Sequence, residues 1–147
     1  MKFSLTVRKD AEEEVRAAVH EESEFTSQLE SLVRGYAGVS SLRGYREDEA
    51  KILPLAEIEC ISVLDGKCRA IDSRGDEYVL KARLYELEEQ LPGNFIRINK
   101  SALANRDRID RLTASFSGAV DVVFRCGCRD YVSRRCLKEL KRRLGIQ

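Results

Sequence analysis

Apolar and polar positions follow two rhythms along this chain, and the change falls near residue 50. Lys2 to Arg8 alternates, with Phe3, Leu5 and Val7 on one side, as a short strand does. Asp10 then precedes Ala11, with Glu13 three residues on, and Glu12, Glu13 and Glu14 place negative charge where a helix dipole favours it. Val15, Ala18, Val19, Phe25, Leu29, Leu32 and Val33 recur at helical spacing. They predict a helix from Ala11 to about Arg34, with Gly35 as its stop. Val39 to Arg46 reads as extended and Arg46 to Lys51 as a polar connector, so residues 1–47 are expected to form strand–helix–strand.

Beyond Ile52 the pattern becomes short strands separated by turn residues. Ile58–Leu64 and Lys67–Asp72 flank Asp65–Gly66, a dipeptide that favours a two-residue hairpin turn. Glu77–Leu80 follows a second turn, and Leu84, Leu87 and Leu91 line one side of a short helix. Phe95–Asn99, Arg108–Ser115, Val120–Cys126 and Arg129–Val132 complete the expected strands. Ser133 caps a last helix that runs to Leu144, with Gly145 as its stop. Leu137, Leu140 and Leu144 form its buried stripe. The class this predicts is mostly β with α, α+β in arrangement.

Composition adds little: 43% hydrophobic and 35% charged residues describe a globular domain. No apolar run approaches the roughly 18 residues that cross a bilayer, and MKFSLTVRKDAEEEV lacks a signal peptide's apolar core. A cytoplasmic protein, not inserted in a membrane, is therefore expected. Charge adds more. Residues 94–147 carry thirteen basic against five acidic side chains, whereas the rest of the chain is net acidic. A basic pole of this kind is the footprint of a polyanion binder.

The candidate chemistry is narrow. With His20 the lone histidine, most acid–base and nucleophilic triads are removed, and no glycine-rich phosphate loop occurs, so no enzyme is expected. The pairs Glu57/Glu59 and Glu88/Glu89 read as solvated faces. Five cysteines supply no two pairs at structural-zinc spacing, so neither metal nor cofactor is expected. Cys60 reads as a small core residue. Cys126-Gly127-Cys128 falls at a hairpin turn, where flanking Arg125 and Arg129 are expected to lower a thiol pKa. A redox or metal sensor working through Cys126, Cys128 and Cys136 is one rival to nucleic-acid binding. A protein-interaction module is another.

Two basic clusters carry the main reading. Arg134, Arg135 and Lys138 stand at or near the start of the last helix, where exposed N–H groups suit phosphate or base-edge contact. In Phe95–Asn105, Ile96 and Ile98 alternate with Arg97 and Asn99, which places the polar pair on one face. Lys100 and Ser101 follow as the strand ends, and Lys67 supplies a third basic tip.

The segments ILPLAEIECISVLDGKCRAID, LYELEEQLPGNFIRINKSALANRDRIDRL and YVSRRCLKELKRRLG together resemble the LytTR DNA-binding domain of bacterial response regulators. The resemblance covers about residues 48–147, and the short prefix looks like that of family members without a receiver. It implies an elongated, antiparallel β domain with a C-terminal helix, binding double-stranded DNA at a repeated operator as a homodimer. Residues 1–47 become the expected dimerisation or partner region, and a membrane protein the expected regulator. Carried over by position, base reading falls on Cys68 with neighbouring Lys67, on Asn99 and Lys100, and on Arg135. Arg97, Ser101, Arg134 and Lys138 become the phosphate contacts.

Overall fold

The computed structural model describes residues 1–11, 14–36 and 39–146. Its elements are α1 (Glu24–Tyr36), β1 (Ser41–Arg46), β2 (Glu49–Pro54), β3 (Ile58–Leu64), β4 (Lys67–Asp72) and β5 (Glu77–Leu80). They continue with α2 (Leu84–Gln90), β6 (Phe95–Asn99), β7 (Ala102–Asn105), β8 (Ile109–Ala114), β9 (Val120–Phe124), β10 (Arg129–Val132) and α3 (Arg134–Leu144). All strand pairs are antiparallel, in a seven-stranded sheet of order β2-β1-β5-β4-β3-β7-β6 and a three-stranded sheet of order β10-β9-β8. The class is the α+β, mostly β arrangement that the pattern predicts.

The large sheet is covered on both faces where it matters. Ile58, Ile61, Ala70, Leu80 and Leu103 pack with α2 residues Leu84 and Leu87 in one core. Cys60, Ile96, Ile98 and Ala104 pack with Val122, Phe124 and Leu140 in a second core, beneath the small sheet and α3. The strand β7 escapes pattern reading because all four of its residues are buried, so no alternation marks it. The β3–β4 hairpin forms as expected, with Asp65 at φ 53° and Gly66 at φ 75°, the left-handed pair that such a turn requires.

The N-terminal region departs from expectation. Lys2–Arg8 pairs with no strand among the described residues, and Phe3, Leu5 and Val7 are exposed. Alternation can choose a face, but a strand also needs a partner for its backbone hydrogen bonds. The expected helix from Ala11 shrinks to α1. Glu12 and Glu13 lie outside the described residues, and residues 14–23 carry no helix. Val15 and Val19 are exposed there, so no buried apolar face stabilises that stretch. The helix begins instead at Ser23, whose N–H donates to Thr26 Oγ1 (2.9 Å) and whose carbonyl accepts from Ser27 N–H (3.1 Å). It runs on through Gly35 to Tyr36.

The division expected at residues 47 and 48 falls on the turn between β1 and β2, which pair from Ser41↔Pro54 to Arg46↔Glu49. The strand assigned to the N-terminal region is thus hydrogen-bonded into the large sheet, beside β5. Residues 46–49 form a tight turn with Glu47 at φ 54°, rather than a longer connector. Helix α1 lies against the end of α3.

Candidate nucleic-acid interface

Three structural details gather the basic tips at one end of the large sheet. Val63 N–H, near the end of β3, donates to the Ser101 carbonyl at 2.8 Å, which sets the β3–β4 turn beside the β6–β7 turn. Ser133 N–H donates to the Ile98 carbonyl at 2.9 Å, which fixes the start of α3 to the end of β6. Asn99 Nδ2 then donates to the Tyr131 carbonyl at 2.8 Å, tying the same turn to β10. Lys67, Lys100 and the first turns of α3 are therefore neighbours in the fold, although they span about half the chain.

The helix start is built locally. Ser133 is extended and its Oγ accepts from Cys136 N–H at 3.2 Å, as an N-cap should. Arg134, Arg135 and Lys138 are exposed, while Leu140 is buried against the second core. At the far end Gly145 adopts φ 71°, and its N–H bonds to the last carbonyls. Among the described residues Lys67, Lys100, Arg134, Arg135 and Lys138 make no ion pair. They keep their charge available to a ligand.

Two residues carried over as base readers are turned inward. Cys68 is 5% exposed and packs in the first core, because on β4 it shares the buried face with Ala70 and Asp72. Burial pushes its thiol pKa up. Lys67, its neighbour, takes the opposite face and the solvent. Asn99 is 1% exposed. The β6–β7 register shifts between Arg97↔Leu103 and Asn99↔Ala102, so a bulge at Ile98 turns Asn99 toward the second core. The strict alternation that puts Arg97 and Asn99 on one face fails for that reason. Asn99 Oδ1 accepts from Ser101 N–H (2.8 Å), and Nδ2 also reaches Asp130 Oδ1 (3.3 Å). Every polar atom of its amide is thus occupied in holding the turn.

Arg97 is likewise committed. Its Nε donates to Glu88 Oε2 at 2.6 Å and a terminal nitrogen donates to the Lys100 carbonyl at 2.7 Å. It clamps the Lys100 turn to α2, and Ser101 offers its backbone to β3 and to Asn99. These are supports for the exposed cations. Position in the sequence marks them as polar, but only the bulge and the partner strands reveal what they hold.

One charged group escapes sequence reading entirely. Glu59, expected on a solvated face, is 0% exposed. Its Oε2 accepts from Arg108 Nε at 2.5 Å and its Oε1 from Cys126 N–H at 2.7 Å. The guanidinium pKa of Arg108 is raised chiefly by that hydrogen bond. Glu59 thereby joins β3 of the large sheet to the β9–β10 hairpin. Alternation places Glu59 opposite Ile58 and Cys60, and only the small sheet closes over it.

Among the described residues no group of three or more metal-ligating side chains comes together, and no helix is long and apolar enough to cross a membrane. Residues 48–145 match the family model of the LytTr DNA-binding domain. Two proteins named uncharacterised HTH-type transcriptional regulators, from Staphylococcus aureus strains RF122 and NCTC 8325, are each 38% identical over 106 residues. The match spans 72% of this chain and 71% of theirs. A solved LytTr DNA-binding domain from Bacillus cereus has the same fold, with a TM-score of 0.68 at 22% identity. It covers 74% of this chain and 100% of that one. Among the described residues strands separate α1, α2 and α3, so the exposed cations are not carried by two helices joined by a short turn.

Proposed function

The chain belongs to the LytTR DNA-binding domain family, and from that premise we propose that it is a sequence-specific transcription regulator. The start of α3 enters the major groove of double-stranded DNA, and the β3–β4 and β6–β7 turns flank it. The observation that carries this reading is the set of cations that make no ion pair among the described residues, Lys67, Lys100, Arg134, Arg135 and Lys138, gathered at one end of the large sheet.

Arg135, in the first turn of α3, reads a base edge, since its planar fork suits guanine. Lys100 discriminates from the neighbouring turn. Lys67, Arg134 and Lys138 neutralise phosphates and set the register of the complex. Asn99, Cys68, Arg97 and Ser101 act from behind, by holding these side chains in place. The reading involves no catalytic step.

Two copies bind a repeated operator in the cytoplasm. The apolar face left open on α1, with Leu32 71% and Tyr36 84% exposed, is the surface through which they pair. Removal of residues 1–36, which spares β1, should halve the mass found by light scattering; an unchanged oligomeric state would overturn the pairing.

Selection from random duplexes at two salt concentrations tests the function. Enrichment of a repeat with half-sites about one helical turn apart, 10–10.5 bp, is the expected outcome. Salt-sensitive binding with no enriched sequence would reduce the surface to a basic patch without readout.

A further inference from the structure

The β9–β10 hairpin brings two thiols into contact away from the cations described above. Phe124 N–H donates to the Cys128 carbonyl (2.8 Å) and Gly127 N–H to the Phe124 carbonyl (2.9 Å). Gly127 sits at φ 96°, and a Cβ there would meet nothing within 4 Å, so glycine is present for its backbone angle alone. The turn leaves Cys126 Sγ 3.1 Å from Cys128 Sγ, both as free thiols. A disulfide bond is about 2.05 Å long, so closure asks for only about 1 Å of movement.

The two sulfurs are not equivalent. Cys60, 3% exposed on β3, packs with Cys128 in the second core. The neighbouring Cys60 thiol, aided by the hydrogen bond from Cys126 and opposed by burial, lowers Cys128 to about 7. Burial is the main cause that pushes Cys126 up to about 12, and the neighbouring Cys128 is the main cause that raises Cys60. Glu59 disfavours both thiolates of the hairpin, but Arg108 pairs its charge. Arg125 and Arg129, expected to activate the thiols, are engaged elsewhere. Arg125 Nε donates to the Asp107 carbonyl (3.2 Å), and Arg129 pairs with Asp121 at 3.8 Å.

We propose that Cys126 and Cys128 form a dithiol–disulfide redox site for hydrogen peroxide, with Cys128 attacking and Cys126 resolving. The Cys128 thiolate attacks one peroxide oxygen. The O–O bond breaks, an S–O bond forms, and hydroxide leaves to be protonated to water. Cys126 sulfur then displaces the oxygen from the Cys128 sulfenic acid, and its thiol proton leaves with that oxygen as a second water. Two thiols are oxidised by two electrons in total, and one peroxide is reduced to two waters. Cys60, packed in the same core, does not join the bond.

Trypsin makes the test direct, because Arg125 and Arg129 bound a peptide that holds both thiols and no other cysteine. The full reduced chain is exposed to hydrogen peroxide near neutral pH, alkylated, digested and weighed. The peptide of residues 126–129 should lose two hydrogens and resist alkylation until a thiol reductant is added. Its oxidation should outpace that of Cys136 by roughly tenfold, the gain expected when about half of a thiol is ionised near neutral pH. In Cys126→Ser a dimedone adduct should accumulate on Cys128, whereas in Cys128→Ser residue 126 should stay alkylatable. Equal rates at both places, or a bridge from Cys60 to Cys128, would overturn the proposal. The wild-type measurement stands whether or not the variants fold, and it is independent of DNA binding.

Discussion

The two ends of α3 are equally basic in sequence and opposite in use. Its start presents Arg134, Arg135 and Lys138 to solvent, with no ion pair among the described residues. At its end two of the three last-turn cations are spent on the protein itself. Arg142 pairs with Glu22 and with Glu139, and Arg143 donates to the Gly93 carbonyl and faces Glu30 at 4.0 Å. Charge density therefore does not identify a polyanion surface. What separates the two ends is the ion pairing found among the described residues, in which Glu22 and Glu30 of the acidic N-terminal region engage Arg142 and Arg143.

Four substitutions put this contrast at risk. The largest effect is expected at Asn99, which supports the open end without belonging to it. Asn99→Ala strands the Ser101 N–H and the Tyr131 carbonyl, and should cost on the order of 2–3 kcal/mol in denaturant unfolding. A normal stability with lost base preference would return Asn99 to the role of reader. Arg135→Ala should cost about 1–3 kcal/mol of binding to the selected operator and relax one position of it, with unfolding unchanged. Equal losses on operator and random DNA would remove its base-reading role.

Arg143→Ala should behave in the reverse sense. Its side chain is 13% exposed, and loss of its hydrogen bond to Gly93 should lower stability by about 1.5 kcal/mol, with operator affinity of the folded protein preserved. An affinity loss as large as that of Arg135→Ala would erase the distinction between the two ends. Lys138→Ala should have the smallest effect: binding weakens on all sequences alike, and the slope of log affinity against log salt falls by about 1. An unchanged slope would place Lys138 off the phosphates.

Features that depend on near neighbours were legible in the amino acids alone. The β3–β4 hairpin follows from Asp65–Gly66 between two alternating strands, and α3 follows from Ser133, a leucine stripe and Gly145. The motif around Asn99 and Arg135 was enough to mark the family.

Features that depend on distant partners were not. A bulge at Ile98, set by pairing with β7, buried Asn99 and bound it to the Tyr131 carbonyl, where alternation alone would leave it beside Arg97. The small sheet closed over Glu59, which its own strand pattern leaves on a polar position. Lys2–Arg8 found no strand among the described residues to complete its ladder, and residues 14–23 found no core to hold a helix. Alternation and caps act over a few residues, whereas burial, ladder pairing and charge compensation are set by groups that are distant in sequence and meet only once the chain has folded.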